Sequence, residues 1–174
     1  MVARDDFETL GLPRAYLLDI SVLEQRFRDL SRSVHPDRHA SAPAADRRLA
    51  AEHAMALNES YRRLRSPMTR ALSLLAIAGR PLAETDRAEP ALLMEIMSLR
   101  EEVESARAEK RDTAPTLSAV DTLIQAKEAV LARVFDGTQW PVDPSALQDA
   151  YRAGVSLKYL FRLQEELETS DENL

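Results

Sequence analysis

The chain has 174 residues with 23 basic and 29 acidic side chains, and its net charge is −6. It contains no cysteine and only four glycines, which excludes disulfides, thiolate-ligated metal centres and glycine-rich phosphate loops. The acidic balance argues against general nucleic-acid binding, and no apolar stretch approaches the roughly 20 residues of a membrane span. Because the chain also opens without a signal-peptide pattern, we expect a cytoplasmic protein.

Charge is divided unevenly along the chain. Residues 1–80 carry 13 basic and 10 acidic side chains, whereas residues 81–174 carry 10 basic and 19 acidic ones, so the two halves have charges of +3 and −9. This asymmetry indicates either two modules with different partners or drift in surface composition.

The apolar spacing of the first half predicts helices throughout, beginning with a short segment between Asp5 and Leu12. A second helix is predicted to start at Ser21, because Ser21 and Glu24 have the spacing of a capping box. It ends before Pro36, which disfavours helical geometry in the preceding residue.

Two further helices are predicted before residue 80. One runs from about Asp46 to Arg65, and the next begins at Ser66-Pro67 and stops at Gly79. Helices two and three have apolar stripes that predict an antiparallel hairpin: Leu23, Phe27, Leu30 and Val34 on one, and Ala50, Ala54, Leu57, Tyr61 and Leu64 on the other.

The turn of this hairpin contains the sequence His35-Pro36-Asp37-Arg38-His39. The residues themselves allow three interpretations. His35, Asp37 and His39 are chemically suited to a metal site, although no fourth ligand is evident. Proline and aspartate are also ordinary turn residues beside solvated histidines. Finally, a rigid loop at the tip of a hairpin, beside the basic side chains of Arg28 and Arg32, suits recognition of an acidic partner.

After a linker over residues 80–89, three more helices are predicted. They run from Pro90 to about Arg111, from about Leu117 to Phe135, and from Asp143-Pro144 to about Glu168. Short connections between them predict an antiparallel three-helix bundle, which makes the whole chain all-α. Gly154 lies in the middle of the last helix, where its low helix propensity indicates a close helix crossing.

The first bundle helix has more apolar residues than one core stripe needs. Its stripe is complete with Leu92, Ile96, Leu99, Val103 and Ala106. Leu93, Met94 and Met97 lie off that stripe and share their surface with Glu101 and Glu104. This second apolar patch is either a partner surface or packs against the third bundle helix or the first half of the chain.

His-Pro-Asp between a basic amphipathic helix and a long apolar-striped helix resembles the J-domain of DnaJ-type co-chaperones, over about residues 4–78. The resemblance implies that His35, Pro36 and Asp37, with Arg28, Arg32 and Arg38, contact an ATPase chaperone of the DnaK/HscA type and stimulate its ATP hydrolysis. Val34 departs from the aromatic residue of many J-domains, and we expect only a packing change from it.

A J-domain joined directly to a short helical bundle resembles the HscB family of iron–sulfur cluster biogenesis. Similar stretches run along nearly the whole chain: Phe7-Glu8-Thr9-Leu10-Gly11-Leu12-Pro13, His35-Pro36-Asp37-Arg38, Ala56-Leu57-Asn58, Leu64-Arg65-Ser66-Pro67, Arg70-Ala71, Leu92-Leu93-Met94-Glu95 and Leu99-Arg100-Glu101-Glu102. The resemblance implies that the bundle binds an IscU-type scaffold and delivers it to the chaperone. The implied scaffold-binding residues are Leu93, Met94, Met97, Arg100, Glu101 and Glu104. In the third bundle helix, Ser156 and Leu157 stand where relatives often carry an aromatic residue.

The sequence therefore predicts a J-domain over residues 1–79, a linker over 80–89 and a scaffold-binding bundle over 90–174. We expect a co-chaperone without enzymatic activity, cofactor or bound metal, and with no nucleic-acid or membrane partner; self-association is possible. The alternative is a general J-domain co-chaperone whose bundle binds a different client. A third hypothesis is a metal-dependent enzyme using His35, Asp37 and His39.

Overall fold

A computed structural model describes residues 4–34, 43–137 and 140–171, and within these ranges all regular structure is helical. The predicted all-α fold is therefore confirmed for the described part of the chain. No helix among these residues is long and apolar enough to cross a membrane. In chain order the helices are Asp6–Leu10 (α1), Ile20–Ser33 (α2), Ala44–Arg65 (α3), Pro67–Ile77 (α4), Pro90–Ala108 (α5), Ala114–Phe135 (α6) and Pro144–Asp171 (α7).

The start of α2 differs from the sequence prediction. Its N-cap is Asp19, whose carboxylate accepts hydrogen bonds from the backbone N–H of Ser21 at 2.8 Å and of Val22 at 3.4 Å. The Ser21 hydroxyl also donates to this carboxylate, at 2.6 Å, so the predicted capping box at Ser21 is wrong. An ionised carboxylate is the stronger acceptor for the free N–H groups of the first turn. The hydrogen bonds from Ser21 lower the pKa of Asp19 below its usual value.

The predicted stripes of α2 and α3 face each other in a helical hairpin. Leu23 and Leu64 are fully buried, and the rings of Phe27 and Tyr61 stack with their centroids 4.2 Å apart. The short α1 packs on α3 through Phe7 and Leu10, which are also buried. Because α1 and α3 pack against the inner face of α2, the outer face of α2 is left exposed to solvent.

The last three helices pack against one another as the predicted bundle, with α7 lying along α6 and contacting α5. The core stripe of α5 is confirmed, although Leu99 is only partly buried: the buried members are Leu92, Ile96, Val103 and Ala106. On α7 the inward residues include Ala150, Leu157, Leu160 and Leu163, none of which has exposed surface.

The two groups of helices meet where α4 crosses α7, at Gly154. A Cβ atom on this glycine would lie 2.7 Å from Leu75 Cδ1 and 3.3 Å from Leu82 Cδ1. The close crossing predicted from Gly154 is thus confirmed. Leu74 and Leu75 of α4 have no exposed surface, so the core continues from one group of helices into the other.

A buried polar cluster joins the same two groups of helices. The Arg70 guanidinium of α4 donates at 2.7 Å to the carbonyl oxygens of Leu64 and Tyr16. The Tyr16 hydroxyl donates to Glu128 of α6 at 2.8 Å, and the Tyr16 N–H donates to Asp136 at 2.5 Å. Burial, reinforced by the bond to Glu128, raises the pKa of Tyr16, while burial lowers the pKa of Arg70.

Residues 80–89 contain no helix, as predicted, but they are held against α7. Lys158 Nζ donates to the carbonyl oxygens of Ala83 at 3.3 Å and Glu84 at 2.8 Å, and the Tyr159 hydroxyl donates to the Asp86 carbonyl at 3.2 Å. Ala88 is buried. The segment therefore packs as part of the fold and is a poor candidate for a hinge.

Candidate partner-binding surfaces

The outer face of α2 carries the two arginines predicted to contact a chaperone. The side chains of Arg28 and Arg32 are 57% and 71% exposed. Arg28 donates to the Gln25 side chain at 3.0 Å, and Arg32 pairs with Asp29. Hydrogen bonding from Gln25, and then the pair with Arg32, lower the pKa of Asp29. Such exposed pairs contribute little to stability, so both arginines are able to exchange their present contacts for those of a partner.

The remaining residues of this predicted surface, which are His35, Pro36, Asp37 and Arg38, lie outside the described residues, as does His39. In the sequence they stand between the end of α2 and the start of α3. In the described part of the chain, no three histidine, aspartate or glutamate side chains are placed to hold a metal ion.

The second predicted surface lies on the outer side of α5. Met94 and Met97 are 72% and 58% exposed, although both are large apolar side chains. Leu93 is half-buried and packs against the core, so the interpretation as internal packing holds in part for this residue. Glu101 and Glu104 are exposed on the same helix. Arg100 pairs with Glu166 of α7, which ties the patch to the neighbouring helix.

Leu93, Ile96 and Met97 form one wall of a shallow groove whose other wall is α7. The residues of α7 that line this groove are Tyr159, Arg162 and Glu166. The site thus combines an apolar floor with exposed methionines, and it has both carboxylates and arginines at its edges. Such a composition suits a helix or loop of another protein that covers the methionines and pairs with the charges.

The α7 side of the groove, which consists of Tyr159, Arg162 and Glu166, was not predicted from the sequence. Of the two residues of α7 that stand where relatives often carry an aromatic residue, Leu157 is fully buried in the bundle core. The Ser156 hydroxyl is engaged with the Arg152 carbonyl at 2.9 Å. The spacing of Tyr159, Arg162 and Glu166 at i, i+3 and i+7 was a signal that the three share one helix face.

Comparison with known proteins identifies a family and several relatives that this chain resembles. Residues 88–168 match the family described as the HSCB C-terminal oligomerisation domain. The chain is 40% identical over 141 residues to a co-chaperone protein HscB homolog of Bordetella avium, covering 80% of this chain and 84% of the relative. It is 36% identical over 170 residues to the corresponding homolog of Paraburkholderia xenovorans, covering 97% and 94% of the two chains.

Two solved structures also match this chain. The chaperone HscB from Vibrio cholerae superposes with a TM-score of 0.74 at 34% identity, covering 98% of this chain and 99% of the other. The human co-chaperone HscB superposes with a TM-score of 0.75 at 21% identity, covering 100% and 85%, and supports the fold alone. The relatives are named as co-chaperones rather than enzymes. With 84% of the Bordetella protein covered at 40% identity, the chain belongs to the HscB family of co-chaperones.

Proposed function

We propose that this co-chaperone binds an IscU-type iron–sulfur scaffold through the α5 patch and stimulates ATP hydrolysis by a DnaK/HscA-type chaperone through its first four helices. The division into a J-domain over residues 1–79, a linker over 80–89 and a scaffold-binding bundle over 90–174 is part of this proposal, as is a cytoplasmic location. The protein itself catalyses nothing: it couples client binding to a partner's ATPase cycle.

The observation that carries the client-binding part is the exposure of Met94 and Met97 beside an apolar groove. Both are large apolar side chains that are more than half exposed, so covering them with a partner is favourable and lowers the free energy of the complex. Leu93 and Tyr159 extend the apolar surface into the groove, and the carboxylates of Glu101 and Glu104 offer contacts to basic groups of the scaffold.

The chaperone-binding part rests on α2. Arg28 and Arg32 are exposed on the same side of this helix, whose end leads directly into His35, Pro36 and Asp37. Arginine makes charge-assisted, often bidentate hydrogen bonds to carboxylates, so this face suits an acidic surface on the ATPase. The carboxylate of Asp37 then pairs with a basic group of the chaperone.

Isothermal titration calorimetry against an IscU-type scaffold tests the client surface. Met94→Ser with Met97→Ser removes the exposed apolar contacts without touching the bundle core, and scaffold affinity should fall at least about tenfold. Met55→Ser is the matched control, because Met55 is 65% exposed but lies on α3. Equal affinity of the double variant and the wild type would contradict the proposed surface.

The ATPase rate of the chaperone tests the other surface. Asp37→Asn should abolish stimulation while scaffold affinity stays at the wild-type value, because Asp37 stands between α2 and α3 in the sequence and the proposed scaffold site is on α5. Unchanged stimulation would refute the J-domain assignment. Normal stimulation by the wild type without detectable scaffold binding would instead indicate a general co-chaperone with another client.

A further inference from the structure

A second groove lies on the bundle, between α6, the first half of α7 and the residues that precede α5. Four basic side chains line it: Arg87, Lys127, Arg133 and Arg152. Two carboxylates, Glu89 and Asp149, also line the groove, so its walls carry an excess of positive charge. This excess stands out because residues 81–174 together have a charge of −9.

The four cations lack the pairing that is common elsewhere on this protein. Exposed arginines such as Arg63 and Arg111 make ion pairs with a neighbouring glutamate. Within the described ranges, by contrast, none of the four groove cations forms an ion pair with Glu89, Asp149 or another carboxylate. Clustered like charges repel one another, and an anionic ligand would relieve that repulsion.

The groove also has an apolar component. Ala88, Val130 and Val155 line it together with the cations, and Lys127 is half-buried with its stem along the wall. A ligand that matches both features carries carboxylates and apolar side chains together. A long polyanion such as a nucleic acid matches less well, since it would meet Glu89, Asp149 and the acidic remainder of the bundle.

The position of the groove indicates a protein ligand. Arg152, Ser156, Tyr159 and Glu166 recur at i, i+4, i+7 and i+14, so they share one face of α7. The first two residues line the basic groove and the last two line the groove beside the α5 patch. The two grooves are therefore neighbours along the same helix.

From these observations we infer that the groove formed by Arg87, Lys127, Arg133 and Arg152 is a docking site for an acidic peptide segment, with interspersed apolar side chains, of a partner protein. Carboxylates of the segment pair with the four cations, and its apolar side chains cover Ala88, Val130 and Val155. Attraction between exposed charges weakens with ionic strength, so binding weakens as salt is raised.

The test uses the whole protein labelled with nitrogen-15 and a soluble peptide in which glutamates and leucines are interspersed. Amide chemical shifts should move around residues 87–89, 127–133 and 149–156. Lys127→Glu with Arg152→Glu replaces two attractions by two repulsions, and the affinity for the peptide should fall at least about tenfold. Arg48→Glu with Arg111→Glu is the matched control, because it makes the same change in net charge on exposed sites elsewhere.

Three outcomes would overturn the inference. One is equal peptide affinity of the groove variant and the control variant. Another is equal binding of a peptide with lysine in place of glutamate, which would show that the charges do not select the ligand. The third is tighter binding of single-stranded RNA or of anionic vesicles at the same amides, which would assign the groove to a different class of ligand.

Discussion

Replacing Gly154 by alanine should destabilise the protein, although a glycine inside a helix is normally improved by that change. Alanine is favoured over glycine by about 1 kcal/mol in a helix interior. The new Cβ, however, would lie 2.7 Å from Leu75 Cδ1, closer than van der Waals contact allows. Leu75 has no exposed surface, and its side chain is packed on all sides. Overpacking of this kind costs about 1–3 kcal/mol, so we expect a net loss of about 1 kcal/mol.

Urea unfolding followed by circular dichroism measures this free energy, provided that the slope of the transition stays unchanged. The helix-propensity part is obtained from the same helix, by comparing Arg152→Ala with Arg152→Gly at an exposed position. Subtracting it from the effect of Gly154→Ala leaves the cost of the clash at the α4–α7 crossing.

A double-mutant cycle identifies the partner in the clash. Leu75→Ala alone should cost about 2–5 kcal/mol through the cavity it leaves. Combined with Gly154→Ala, the loss should be smaller than the sum, because the added methyl group then occupies space that Leu75 has vacated. A Gly154→Ala variant that gains the full helix-propensity benefit, with strictly additive effects in the cycle, would refute the close approach.

Three further variants probe the connections within the fold. Tyr16→Phe should cost about 1–2 kcal/mol by removing the hydrogen bond to Glu128. Since the folded state raises the pKa of Tyr16, wild-type stability should also fall as pH rises above 10, where the unfolded chain ionises this tyrosine. The difference in urea midpoint between the wild type and Tyr16→Phe should therefore become smaller above pH 10. Asp19→Ala should lower the urea midpoint more than Ser21→Ala does, because Asp19 is the cap of α2, and an equal effect of the two would contradict this assignment. Lys158→Met should speed amide hydrogen exchange in residues 83–88, measured by mass spectrometry, and unchanged exchange would show that the lysine contacts do not hold that segment.

The sequence predicted the helices well because their apolar residues recur with the helical period over long stretches. Facing stripes on α2 and α3 and an inward stripe on α5 followed from spacing alone. Gly154 predicted its own close crossing, because a glycine at mid-helix is costly unless a neighbour needs the space. On α4, the apolar residues expected from spacing were Met68, Ala71, Leu72, Leu75 and Ala78. Leu74 was not among them, and it is buried because α7 covers a second side of this short helix.

Features that depend on partners distant in sequence were not predictable in the same way. The start of α2 was missed for a local reason, because both Asp19 and Ser21 are able to cap it and the sequence pattern does not rank a carboxylate above a capping box. From the sequence alone Arg70 would be expected on the surface, because its carbonyl acceptors at Leu64 and Tyr16 are known only from the structure. Predicting Tyr159 as a groove residue would have required the relative rotation of α5 and α7, because that rotation determines which residues of α7 face the methionines.

The order in which the helices pack bears on whether the two proposed partners compete. The α2 helix packs on α1 and α3, whereas contact with the bundle is made by α4, which crosses α7, and by Tyr16, which contacts Glu128 of α6. Arg28 and Arg32 therefore lie on a helix that packs within the first group of helices, whereas the α5 patch lies on the bundle. The Gly154 crossing and the Arg70 cluster hold the two groups of helices together by different chemistry, and the Lys158 contacts hold the segment between them against α7. A client on α5 and a chaperone on α2 would thus contact different helices of one continuous fold, so we expect that the two partners do not compete for the same residues.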